Sequence, residues 1–428
     1  MINSIPLSFC SSKETKTNKA NKHITMKKKY LLMLPAFSLA TSASSWAQAT
    51  ADIPAAAKVN LKAEFTEAKS ATDLYDKLAA MITEQAKEEN QDIDAKAILD
   101  TLGLGDITSY AMSSEKDGTE WKNLMFLHNG GSDKGIFSLL GNKGAEFSAP
   151  SMCPAGSDLV MQMDLDLRSA ESLIRSVMKV GKASEEDIQE FEGVMKEEIP
   201  EMKMNASAIL SKLNVRVNIA IDFDDKVKIA LPLVGELDKP RVVVRLDGLA
   251  WLWDKMGDDM IAESGMPMEK KEEGGVITYS LPAEMAAQFM GYLPVIAIDK
   301  TKNQIWISSS PEFLKRSMSG TESLAGSLAY KATMQGLPEK GNAMMYMSKE
   351  FADIALKLHK VAKANGMMEG LGENKDDVSS MIETLKKIKQ GNVTTLSRGD
   401  DGIHFSSRST ESMENMLEEA EKMMKKIQ

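Results

Sequence analysis

The sequence predicts an α+β protein: two similar lobes of mainly antiparallel sheet with helices packed on one face, preceded by an N-terminal helical pair. Three observations predict it. Short apolar strands come as hairpins, which pair neighbours antiparallel, and amphipathic helical segments separate them. The stretch Cys153–Arg168 (CPAGSDLVMQMDLDLR) returns as Leu337–Phe351 (LPEKGNAMMYMSKEF), with Pro338 standing 184 positions after Pro154. Strand, helices and hairpin then follow in the same order in both places, over 158–231 and 343–407, as an internal duplication requires.

The chain opens with targeting signals. Residues 1–25 are polar and Lys-rich and precede a good signal peptide, so translation is expected to start at Met26. Met26–Lys29 is a basic n-region, Tyr30–Ala43 an apolar run, and Ala47-Gln48-Ala49 a small-x-small cleavage pattern. A membrane span needs about 20 apolar residues. The run is shorter and contains Pro35, so 26–49 is expected to be cleaved after Ala49, leaving a periplasmic or secreted chain with no transmembrane span.

Residues 50–103 are a linker and the helical pair. Leu74, Leu78, Met81 and Ile82 recur at helical spacing within 70–89, and a second helix, 93–102, stops at Gly103. The first lobe, 104–236, begins with a hairpin (107–112 and 121–128) turning on Lys116-Asp117-Gly118. In strand 158–167, Leu159, Met161, Met163, Leu165 and Leu167 alternate with mostly polar residues, the pattern of one buried apolar face. Helices are expected at 170–180 and 185–213, the latter capped by Ser184 and Asp187 and interrupted at Pro200. A hairpin over 215–223 and 227–231 turns on Asp224-Asp225.

The connecting segment, 237–291, reads as strand 239–246, helix 249–261, a charged loop 266–275, strand 276–280 and a helical turn. The second lobe, 292–428, has a hairpin (295–298, 304–308) and a helix started by Ser310-Pro311. A short helix 328–334, strand 343–347 and helices 349–364 and 377–390 follow. A hairpin (393–397, 403–407) turns on Asp400-Asp401-Gly402, and an amphipathic helix, 411–427, closes the chain.

Composition narrows the partners. Residues 1–49 hold seven Lys and one Glu. Removing them from totals of 52 basic and 62 acidic residues leaves 45 and 61, a net charge of −16. Such a surface repels phosphate backbones and anionic head groups, which excludes nucleic acid as the expected partner. Cys10 lies in the leader, so Cys153 is alone in the mature chain and reads as a buried thiol.

No catalytic, cofactor or metal constellation is expected. His128, His359 and His404 are far apart in sequence. Ser113-x-x-Lys116 matches a nucleophile string but falls in a hairpin, not at a helix start. The Asp pairs suit turns and lack the spacing of a calcium loop. Methionine is the unusual residue, with 28 of 31 in the mature chain. It reads first as core filler. A soft groove for a lipid or apolar peptide is the second reading. A copper(I) thioether site is third, with Met202-x-Met204, Met266-x-Met268 and Met367-Met368 as its strings. Trp251 and Trp253 lie about 200° apart on one helix. They cannot both face one core, so either the helix is sandwiched between layers or one indole is exposed; they are the ligand-binding candidates, an exposed one being a platform for sugar or peptide.

Ile305–Ser308, Ser310–Leu314, Ser327-Leu328, Leu337-Pro338 and Met344–Met347 together resemble a diffuse group of exported bacterial proteins of unknown function. The resemblance spans 104–408 and implies no activity, cofactor or site residue. The expected role is a non-enzymatic binding or assembly module, with an apolar ligand or an envelope protein as partner. Two alternatives are an exported hydrolase using carboxylates gathered by folding, and a homo-oligomeric envelope component assembling through helix 411–427.

Overall fold

The computed structural model describes residues 53–418 apart from 89–91, 142–143, 201, 232–234, 290, 365–381, 383–384 and 389–390. The expected leader and signal peptide, most of helix 377–390 and the end of helix 411–427 lie outside the described residues.

The strands are β1 (Phe65–Ser70), β2 (Ser109–Asp117), β3 (Glu120–His128), β4 (Leu159–Asp166), β5 (Glu198–Ile199), β6 (Met204–Asn205), β7 (Asn214–Leu231) and β8 (Gly235–Asp247). They continue as β9 (Glu269–Glu273), β10 (Val276–Ser280), β11 (Val295–Asp299), β12 (Gln304–Ser308), β13 (Ala343–Ser348), β14 (Gly391–Arg398) and β15 (Gly402–Ser409). Thirteen of them form one sheet, ordered β1-β2-β3-β15-β14-β13-β4-β7-β8-β12-β11-β10-β9, and every pairing in it is antiparallel.

The expected lobes therefore share a sheet, and their strands interleave. β3 lies beside β15, β8 beside β12, and β4 beside β13 at the centre. The boundary expected after residue 236 falls inside β8. At the central seam Met161 stands opposite Met345. Ser348 N donates to Asp158 O and Asp164 N donates to Asn342 O, both at 2.7 Å.

Helices cover both faces of the sheet, not one. Along β11, Val295 and Ala297 point into a core shared with Phe313 and Leu314 of helix Pro311–Ser319 and Tyr330 of helix Leu328–Met334. Ile296 and Ile298 point the other way, onto helix Ala250–Glu263. The alternation in β11 is apolar on both parities, which is what a strand covered on both sides needs.

Local signals place most elements. Asp94 caps helix Ala95–Thr101, Ser184 and Asp187 form a reciprocal capping box, and Ser310 caps the helix that starts at Pro311. Four expectations change. A first strand, β1, precedes helix Thr72–Glu88. Asp224-Asp225 is no turn: β7 runs on to Leu231, and a register shift between Asp224 and Lys228 absorbs the irregularity against β8. The charged stretch before Gly274 is strand β9, wholly exposed at the sheet edge, where charge discourages further pairing. The 185–213 helix is two helices, Glu185–Lys196 and Ala206–Leu210, separated by the β5–β6 ribbon.

Candidate binding face

The central strands are apolar on their open side and mixed on their covered side, where Val160, Ala220, Val243, Trp306, Met344 and Tyr346 join the main core and buried polar residues stand between them. Pairing sets one row of directly opposed residues across the sheet: Met345, Met161, Ile219, Val244 and Ile307. Opposed residues share a face, and so do residues two apart along a strand. Met163, Val217, Leu246, Leu159, Ile221, Val242 and Met347 therefore extend the same surface. Met161, Met163, Met345 and Ile307 are 38, 46, 39 and 42% exposed. None of Leu159, Val217, Ile219, Ile221, Val242, Val244 and Leu246 is fully buried. Helix Ala250–Glu263 covers one end of this face, through Ile296, the cross-strand partner of Ile307.

This reverses the expectation that Leu159, Met161 and Met163 point into the core. The residues between them do so. Gln162, Asp164, Asn218 and Asp222 are all buried. Burial is tolerated because each has partners. Arg216 donates to both oxygens of Asp164 at 2.6 and 2.8 Å, and its third contact is the carbonyl of Glu146 at 3.1 Å. Arg241 donates to both oxygens of Asp222, at 2.7 and 2.8 Å, and to Asp224 at 2.8 Å. Gln162 Oε1 accepts from the backbone of Ser148 and Ala149, at 2.7 and 3.1 Å. Arg245 donates to Ser148 Oγ at 2.6 Å, and its guanidinium lies 5.4 Å from the centre of the Trp306 ring. A buried ion costs several kcal/mol unless it is paired and hydrogen-bonded, and this network does both.

The network shifts protonation. The hydrogen bonds to Asp164 hold the Arg216 guanidinium above its ordinary value. Burial pushes the Asp158 carboxyl above the usual carboxylate range, although Ser348 Oγ donates to it at 2.8 Å and Phe223 N at 3.0 Å.

The structure does not bring the two tryptophans together. Trp251 Nε1 donates to Gly248 O at 3.0 Å, and Lys212 lies 5.3 Å above its ring. Trp253 packs on Tyr279, with ring centres 5.4 Å apart and Nε1 3.4 Å from the hydroxyl. Both are half-buried and serve opposite sides of their helix. Its indole lies across Gly257, where a Cβ would meet the ring at 2.3 Å.

Other candidates disperse. Cys153 is fully buried, and burial pushes its thiol upward, away from reactivity. His404 sits 4.4 Å from the Phe126 ring centre, and burial lowers its pKa. Ser113 and Ser114 are buried within β2, which runs on to Asp117, so the string lies in a strand and not in the expected hairpin turn. Met202 is buried, Met204 lies in β6, and Met268 packs beside Trp253. Met367-Met368 lies outside the described residues. Among the described residues no group of three or more His, Cys, Asp or Glu could hold a metal ion, and no helix is long and apolar enough to cross a membrane.

A polar cleft of about 720 Å³ is lined by Asp133, Asp166, Arg168 and Arg398, with Ser138, Ser169 and Ser172. Its carboxylates are each matched by an arginine: Asp166 by Arg168 at 2.8 Å, and Asp133 by Arg398. Arg168 holds the Asp166 carboxyl below the usual range, the wrong direction for a general acid. The exported-hydrolase alternative draws no support from this cleft.

What sequence reading missed is the inversion of the central strands. Its trace is present: Asp164 and Arg216, and Asp222 and Arg241, are opposite charges that fall on directly paired positions. No family model, curated protein or solved structure matches the chain.

Proposed function

We propose that the chain is a non-enzymatic binding module whose working surface is the open apolar face of β13, β4, β7, β8 and β12, and that it takes an apolar ligand. One observation carries this reading: four large apolar side chains of one face, Met161, Met163, Met345 and Ile307, stand more than a third exposed while Asp164 of β4 and Asp222 of the adjoining β7 are buried. Large exposed apolar patches mark interaction sites. Covering a methionine or isoleucine fully is worth about 1.5–3 kcal/mol, and thioether chains adapt to irregular shapes. The expected signal peptide puts this surface outside the cytoplasm, where lipids and exported apolar peptides supply such ligands.

An internal duplication fits the same face. Read inward from either end, β1-β2-β3-β15-β14-β13 and β10-β11-β12-β8-β7-β4 place matching elements at matching positions, with β9 as an addition. The spacing between Met161 and Met345, 184, equals that between Pro154 and Pro338. The paired bonds at 2.7 Å across the central seam repeat under the same shift. In this reading the two halves exchange their hairpins, and the ligand face is centred on a pseudo-two-fold axis between the two copies.

The test is a solvatochromic hydrophobic dye, with native mass spectrometry of the protein as purified. Folded wild type binds the dye or carries co-purified lipid. The double variant Met161→Lys/Ile219→Lys, with its urea midpoint little changed, loses both. Dye binding that survives in that variant places the ligand elsewhere and removes this face as the site.

A further inference from the structure

The sequence strings expected to offer thioethers are scattered, but the fold assembles a different set. Met161-Gln162-Met163 and Met345-Tyr346-Met347 lie on neighbouring antiparallel strands in register, with Met161 opposite Met345. Met163 stands diagonal to Met345, and Met347 diagonal to Met161. Opposed Cβ atoms of such a pair are about 4.5–5.5 Å apart and diagonal neighbours about 7–8 Å. Methionine is unbranched with three rotatable bonds, so the sulfurs of Met161, Met163 and Met345 can converge on one point above the seam, whereas Met347 stands four strand positions from Met163, about 13 Å along the sheet, and cannot share that point.

We propose that Met161, Met163 and Met345 form a thioether site for a soft monovalent cation, Cu(I) or Ag(I). Three considerations support it. The first is residue choice. On this same face the adjoining strands use Val217, Ile219, Val244 and Ile307, the β-branched residues that a pleated surface favours. Apolar contact alone is served by those residues, yet the two seam strands switch to methionine at both positions of both copies. The second is access. Met161, Met163 and Met345 are 38–46% exposed, while Met347 is partly covered by packing on Ala352 and Ile382. The third is charge. The sulfurs are neutral, and the strand positions flanking them on this face hold Leu159, Val217, Ile219, Ala343, Thr394 and, opposite Met347, Asn392, none of them charged. A ligand set of thioethers without carboxylate or imidazole selects against hard and borderline dications and for soft monovalent ones.

The two readings are tested by different readouts: leucine removes the sulfur, so metal binding is followed directly and not through the dye. The test is anaerobic titration of the mature chain with Cu(I) against a chromogenic Cu(I) chelator, repeated with Ag(I) by native mass spectrometry. Wild type and Cys153→Ser are expected to hold a single equivalent. The threefold variant Met161→Leu/Met163→Leu/Met345→Leu is expected to lose measurable competition with the chelator while its unfolding midpoint is retained. Failure of wild type to compete with the chelator overturns the proposal. Equal binding by the leucine variant also overturns it and moves the metal to another methionine string. Loss of dye binding in Met161→Lys/Ile219→Lys bears on the apolar ligand alone.

Discussion

The two faces of the same five strands make opposite use of their residues. On one, Asp164, Gln162, Asn218 and Asp222 are buried against Arg216, Ser148, Asp247 and Arg241. On the other, methionine and β-branched side chains stand open. Side-chain character alone does not assign these faces, because the covered side mixes Val160, Ala220, Val243 and Tyr346 with polar residues. The carboxylates there are paired with arginines, which offsets the cost of burying them, while Gln162 Nε2 is left without a hydrogen-bond partner among the described residues.

The contrast can be broken hardest from the covered side. Arg216→Ala leaves Asp164 buried without its guanidinium, and the loss is expected to be on the order of 3 kcal/mol in urea unfolding. A loss within the range of ordinary surface changes would mean that this network carries little weight.

A smaller and opposite effect is expected at Asp158. Its folded carboxyl keeps its proton to higher pH than the unfolded chain does, so stability falls as pH rises through the interval between the two pKa values. Asp158→Asn removes the charge while retaining an acceptor for Phe223 N, much as Asn342 accepts from Arg398 N at 2.8 Å. The variant is expected to gain on the order of 1 kcal/mol at neutral pH and to lose that advantage in acid. Thermal melts across pH check this, and an advantage independent of pH would refute the protonation account.

The open side sharpens the comparison with the smallest stability change. Met163→Ser is expected to move stability by less than about 0.5 kcal/mol, because the side chain is already nearly half in water. Dye affinity should nevertheless drop several-fold. A melt shift of several degrees would show that Met163 belongs to a core after all.

Much of the fold is legible because local chemistry is explicit. Ser310-Pro311 starts a helix, Asp117-Gly118 turns a hairpin, and Ser184 with Asp187 caps its own helix. Asp224-Asp225 reads equally as turn and as bulge, and only the long partner β8 decides for the bulge. The interleaving of β3 with β15 and of β8 with β12 is not legible, since pairing partners far apart leave no local signal. The candidate site is half legible. Methionine richness points to a soft surface, and the register that gathers Met161, Met163 and Met345 follows only from the sheet.

That interleaving governs how the chain can fold. β3 gains its inner neighbour only when β15 exists, near the end of the chain, and β4 is unpaired on one side until β13 arrives. Loop closure over such separations is slow, and contact-rich local segments cannot substitute for it. Synthesis therefore completes before the sheet does. Any stalled or truncated chain presents bare strand edges beside an apolar, methionine-rich surface, the condition under which partly folded chains aggregate.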